Sequence, residues 1–195
     1  MSAPLLVADS GPLIALARLD LLALPSRLFG ELLVAATVWS EVTREPRAAD
    51  QAALGAALDA GWLIVVDDPS PIPPALAEAR LDDGERCALA LALLRGAVVL
   101  VDERRGRACA VDLGLPVLGT LGLLVRAREQ GLVAAQRVLA ALDQLPIQVQ
   151  PAERSVVLAA ARLKARYPIS YADAFAVVAA QEHRAVLVTG DPEFK

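Results

Sequence analysis

The sequence has one histidine, two cysteines and one methionine, and aromatic residues make up only 4% of it. The single histidine, His183, reads as an ordinary surface residue in a helix-to-strand turn, so chemistry built on an imidazole base is not expected. Cys87 and Cys109 lie in apolar helical stretches with neither a pairing pattern nor ligand spacing. They read as reduced core residues of a cytosolic protein, which sets aside a disulfide scaffold. Trp39, Trp62, Tyr167 and Tyr171 are scattered, so no single-strand stacking platform is indicated. No apolar run reaches the roughly 20 residues of a membrane helix. The N-terminus has no basic region ahead of its apolar stretch and carries Asp9 inside it, which argues against a signal peptide. Positive charge is not in excess either: the formal net charge of −4 gives no global field for nucleic acid, so any such binding must rest on local clusters.

What is abundant is Ala, Leu and Val. A hydrophobic fraction of 56% over 195 residues is enough for one ordinary core, or one core with an appendage. Short β-branched runs alternate with longer Ala/Leu helices, the sequence form of βαβ units and a parallel sheet covered on both faces. Strands are expected at "PLLVADS", "ELLVAAT", "WLIVVDD", "AVVLVD" and "LPVLGT". One helix is carried by "GPLIALARLDLLALPSRLF", with others at "VWSEVTRE", stopped by Pro46, "AADQAALGAALDA", closed at Gly61, "ALALALL", "RGRACAVDLG", "LGLLVRAREQG" and "LVAAQRVLAALDQ". The segment "PSPIPP" is a rigid connector. This organisation gives one domain over residues 1–143 and a second piece, 144–195, patterned strand, helix, helix, strand. The second piece repeats the pattern of the first with few identities, since one offset of 88 carries Glu85 to Asp173 and Glu103 to Asp191 (173 − 85 = 191 − 103 = 88).

Acids close two of the strands, Asp9 after "LLVA" and Asp102 after "AVVLV". In an open parallel sheet the carboxyl ends of neighbouring strands form the ligand crevice, so such aspartates converge. A buried carboxylate pair repels itself unless it is protonated or bridged by a cation, and Mg²⁺ or Mn²⁺ is the common bridge. Strand-end aspartates also start turns and cap helices. Glu85, in Asp82-Asp83-Gly84-Glu85, sits where a helix macrodipole favours acids, and Ser170-Tyr171-Ala172-Asp173 fits a capping box. Glu41 lies on a helix with Glu45 one turn later, the arrangement of a solvated face.

The set in order, strand acid, helix acid, helix-opening acid, strand acid, resembles the PIN-domain family, the compact three-layer α/β/α nuclease fold of VapC-type toxins. "DSGPLIALARLDLL", "LDDGERCALALALL" and "LGLPVLGTLGLLVRAREQGL" carry the likeness over residues 1–143. "ISYADAFAVVAA" and "LVTGDPEFK" make the tail similar to the C-terminal half of a VapC-type toxin, a partial repeat of the fold. The resemblance implies metal-binding catalytic acids at Asp9, Glu41, Glu85 and Asp102, with a second half-site at Asp173 and Asp191. It further implies Mg²⁺ or Mn²⁺ as cofactor, an RNA substrate, a cognate antitoxin and a homodimer. Gly11 stands where the family has a hydroxyl residue, and either Asp102 or the adjacent Glu103 faces the metal. Arg104, Arg105 and Arg107, just beyond Asp102, are candidates for RNA phosphate contact. The chemistry expected is phosphodiester hydrolysis by a metal-activated water. A non-catalytic binding module, or a fused or decayed gene product, is the alternative.

Overall fold

A computed structural model describes residues 4–44, 48–142, 144–145, 151–167, 169–185 and 187. The chain divides into two units, Met1–Ile147 and Gln148–Lys195. The first is built on a five-stranded parallel sheet flanked by helices, the three-layer α/β/α architecture. Its strands are β1 (Leu6–Ala8), β2 (Leu32–Ala35), β3 (Leu63–Val66), β4 (Val98–Leu100) and β5 (Val117–Leu118), arranged β3-β2-β1-β4-β5. Every residue of β1 and β2 is buried, which is why these strands read as unbroken apolar runs rather than alternating ones. The edge strands β3 and β5 are mostly half-buried.

This strand order has a functional consequence. The chain winds outward from β1 to β2 and β3, then returns to the other side of β1 as β4, so the order reverses between β1 and β4. The carboxyl ends at such a switch point open a crevice for ligands. In-register pairing of Ala8 with Leu100, extended by the Asp9 N–H donating to the Leu100 carbonyl at 3.0 Å, places Asp9 and the residues after β4 at that crevice.

Between the strands run α1 (Ser10–Arg18), α2 (Leu24–Phe29), α3 (Ala36–Arg44), α4 (Ala48–Asp59), α5 (Pro74–Ala77), α6 (Asp83–Arg95), α7 (Arg104–Asp112), α8 (Thr120–Glu129) and α9 (Ala135–Leu142). The single helix expected after β1 is two. α1 ends at Arg18, Asp20 takes a positive φ of 55°, and α2 restarts with a proline in its first turn. α6 is the central helix, packed on β1, β2 and β4 with Ala88–Ala92 buried. Apolar on nearly all sides, it stops at Gly96, whose left-handed conformation at φ 59° suits a residue without Cβ. α5 begins at the last proline of the connector.

The second unit shows α10 (Arg154–Arg166) and α11 (Tyr171–Glu182) packed on each other around Ala160, Ala174 and Val178. Most of the residues of the two strands expected in this piece, and Asp191 with them, lie outside the described residues. Among the described residues no helix is long and apolar enough to cross a membrane.

Candidate active site

Four acids gather where α6 begins. Asp9 follows β1 directly and is 4% exposed; its side chain makes no capping bond to α1. Glu85 is the third residue of α6 and is buried. Its amide is bonded by Asp82 Oδ1 at 2.7 Å, while Glu85 Oε2 accepts from the Asp82 N–H at 3.3 Å, a reciprocal capping box. The capping reading of Glu85 is therefore correct, and it uses only one carboxylate oxygen. Glu85 Oε1 has no hydrogen-bond partner among the described residues, nor has Asp9 Oδ1. A buried acceptor left unsatisfied is costly, so two at one crevice call for an explanation.

Glu41 reaches the same place from α3. A Cβ added at Gly84 would overlap the Glu41 carboxyl carbon at 2.8 Å, so the absence of a side chain at residue 84 is what lets this carboxylate lie against the first turn of α6. Gly106 does the same for Glu85: a Cβ there would stand 2.8 Å from Oε1 and 2.9 Å from Val101 Cγ2.

The electrostatics follow from this crowding. Burial, foremost, pushes the Asp9 carboxyl up to about 7; the Ser10 backbone N–H opposes the shift, and the charges of Glu85, Asp82 and Glu41 add to it. Glu85 is raised as well, by burial and then by Asp82, with smaller contributions from Glu103 and, in the opposite sense, Arg105. In the metal-free protein Asp9 is thus half protonated near neutral pH.

Asp102 is placed differently. Its Oδ1 accepts from the Thr120 N–H at 2.8 Å and its Oδ2 from the Thr120 hydroxyl at 2.6 Å, so the acid that ends β4 caps the helix that follows β5. Across the sheet Asp68, just after β3, takes the Thr37 N–H at 2.9 Å and hydroxyl at 2.6 Å, capping α3 in the same way. Of the two candidates after β4, Asp102 is held by Thr120, and Glu103 is the one whose charge acts on Glu85. Asp82, Thr37, Asp68 and Thr120 were not singled out from the sequence. Asp82 was hidden in a helix-opening run, and the threonines signal only once the strand order is known.

Arg107 turns back onto the chain, its Nη1 donating to the Val101 carbonyl at 3.4 Å, while Arg104 and Arg105 are exposed. In the second unit Asp173 forms a capping box with Ser170, whose hydroxyl accepts from the Asp173 N–H at 3.1 Å. Both cysteines are half-buried free thiols, shifted upward by burial and so kept protonated.

Hard, anionic oxygen donors with two orphaned buried oxygens among them suit a divalent cation in kind. Among the described residues, however, no three acidic, histidine or cysteine side chains form a ready-made ligand set. Charge and oxygen are in place, and a preassembled cage is not.

No curated protein matches the chain significantly. A sequence-family model for the PIN domain matches residues 5–163, which takes in the whole sheet and its helices and ends inside α10. With that match over most of its length, a reversal of strand order beside Asp9, and acids converging on the start of α6, the chain belongs to the PIN-domain family.

Proposed function

We propose that the chain is a ribonuclease dependent on Mg²⁺ or Mn²⁺, with Asp9, Glu41, Glu85 and Asp102 as its acids, acting in the cytoplasm as the toxin of a toxin–antitoxin pair. The observation that carries this reading is the pair of buried carboxylates, Asp9 and Glu85, each with an unpartnered oxygen at the switch point of a PIN-family sheet. PIN domains are generally nucleases and typically use divalent metal ions. The likeness of the tail to VapC-type toxins supports the narrower reading, with an antitoxin and a second copy as partners.

Bound among these acids, a divalent ion would lower the pKa of a water molecule and offset charge on the phosphodiester under attack. The chain supplies the setting. Burial disfavours the charge on Asp9 and Glu85 and raises both carboxyls, so a cation bound there would be favoured by the charge it lets them keep. The Asp82–Glu85 box fixes the Glu85 backbone and one oxygen and leaves Oε1, buried beside Gly106, without a partner among the described residues. Thr120 holds Asp102 in a single orientation, and Gly84 gives Glu41 room to approach. Asp82 adds negative charge without itself being buried. With water as the attacking group, no side-chain nucleophile is required.

The test is cleavage of labelled RNA by purified protein with Mn²⁺, Mg²⁺ or EDTA. Metal-dependent cleavage lost in Asp9→Asn and Glu85→Gln is the expected result. A protein that binds RNA and cuts none under any metal would instead be a binding module, the reading favoured by the lack of a ready-made ligand set among the described residues.

A further inference from the structure

Beside the acidic centre runs a groove between two segments that the mechanism above does not use. One wall is the end of the α5 segment, Ala75 to Leu81; the other is the exposed side of α7, with Arg105, Ala108 and Leu113. Arg80 and Arg105 both line it, and among the described residues neither has an ion-pair or hydrogen-bond partner. Three arginines elsewhere do have acidic partners: Arg18 lies near Asp50, Arg86 on Asp83 and Arg137 near Asp20. In a chain of net charge −4, two guanidinium groups facing one groove against the single carboxylate of Asp112 make a local excess of positive charge.

Two of its lining residues are next to residues of the site. Arg105 precedes Gly106, the residue against which Glu85 Oε1 rests, and its charge is felt at Glu85. Arg80 is two residues before Asp82, the partner of Glu85 in the capping box. Its position is braced, because Arg86 on α6 reaches back and donates from Nη2 to the Leu81 carbonyl at 2.9 Å and from Nη1 to Asp83 at 2.6 Å. Arg80 therefore leaves the chain from a fixed backbone, and Arg105 from the first turn of α7. Asp112, on the last turn of α7, also lines the groove; helix rise puts it about 10 Å along the axis from Arg105, so it marks the end at which an anion is repelled.

We infer that this groove is the track of the nucleic-acid strand being cut, with Arg80 and Arg105 each holding a backbone phosphate beside the acidic centre. Guanidinium groups suit this role because they remain charged at all working pH values and can bond a phosphate with two N–H donors. Between the two arginines the lining is largely apolar, with Ala79, Leu81 and Ala108, so the contact is to the backbone. Arg107, turned inward onto Val101, takes no part. The inference rests on the nuclease reading for the identity of the ligand, and its test is separable from that reading.

The test measures binding of a fluorescent single-stranded RNA to the full chain in EDTA, where no metal-dependent cleavage occurs, over a range of salt concentrations. Each phosphate contact contributes about 0.7 to the slope of log affinity against log salt for a single strand, so an Arg80→Ala, Arg105→Ala double variant is expected to lose about 1.4 of slope. Arg95→Ala, at the far end of α6 and outside the groove, removes one positive charge and keeps the slope. Arg80→Lys, Arg105→Lys keeps most of it. An unchanged slope and affinity in the alanine pair overturns the inference even if the protein proves to be a metal-dependent nuclease. A lost slope in a protein that never cuts RNA upholds the groove and refutes the nuclease. Failure of the unaltered chain to bind RNA at all overturns the inference outright.

Discussion

Asp9→Asn should make the metal-free protein more stable, and increasingly so as pH rises. The carboxyl ionises at about 7 in the fold against 3.8 ordinarily, so the folded state holds its proton more tightly than the unfolded chain does. Below pH 3.8 both states are protonated and Asp9 costs nothing. As pH climbs from there, the unfolded chain ionises first, and stability is lost until the folded carboxyl ionises too, near 7. A shift of 3.2 units (7 − 3.8) at about 1.4 kcal/mol per unit gives a penalty of about 4 kcal/mol at pH 8, and under about 2 kcal/mol at pH 5. Asparagine has a similar shape and no charge, so it removes this pH-dependent cost and leaves a constant offset for its own hydrogen bonding. The assay is urea unfolding of both proteins in EDTA at pH 5 and pH 8. The stability difference, variant minus parent, should be about 2 to 3 kcal/mol more favourable to the variant at pH 8. Mn²⁺ at pH 8 should raise the stability of the parent and leave Asp9→Asn nearly unmoved, because an ion stabilises only a fold that binds it. A difference that is the same at both pH values would refute the argument, since it would mean that Asp9 is solvated well enough to ionise normally.

Three further outcomes are expected. Gly84→Ala should leave the unfolding midpoint close to that of the parent, because better helix propensity offsets the displacement of a flexible Glu41 side chain; metal affinity by calorimetry should fall about 10-fold or more. Thr120→Val keeps the shape but leaves Asp102 Oδ2 without its 2.6 Å hydroxyl bond, at a cost of about 1 to 3 kcal/mol in chemical unfolding. Metal-dependent cleavage should survive Asp173→Asn, Asp191→Asn and be abolished by Glu85→Gln, Asp102→Asn, because the first unit alone contains the sheet end to which Asp9 belongs; in a gel assay the reverse pattern would move the activity to the tail.

The first unit was legible in the sequence because its two signals are local. Unbroken apolar runs such as Leu6–Ala8 announce strands buried on both faces, and the Asp82–Glu85 box announces the start of α6 without reference to the rest of the chain. The break between α1 and α2 was not legible, since Leu19–Ala23 is as apolar as a helix and the turn is carried by Asp20 at positive φ, a conformation aspartate tolerates but does not advertise. Glu41, Glu85 and Asp9 were named as candidate acids from their order along the chain, and the fold brings the three together at the start of α6. What that order could not give is which neighbours crowd them: Asp82 joins the cluster, and Asp102 is held by Thr120, because the strand order brings a helix start from one crossover beside the acid of another strand. Glycines 84 and 106 carried no sequence signal, as their role is to leave space for side chains that arrive from elsewhere.

The cross-strand cap at Asp68 has a mechanical consequence for the groove wall that ends just before Asp82. The stretch from residue 69 to residue 81 is anchored at one end by Asp68 on Thr37 and at the other by Asp82 in its box with Glu85, and it contains four prolines, Pro69, Pro71, Pro73 and Pro74. Each proline removes the freedom of one φ. Clamped at both ends and stiffened along half its length, the stretch works as a strut that holds the Ala75 end of the groove wall, while Arg80 is braced separately by Arg86 on Leu81. Trading its prolines for glycine would loosen that wall first, while Arg80, Asp9 and Glu85 kept the partners that hold them.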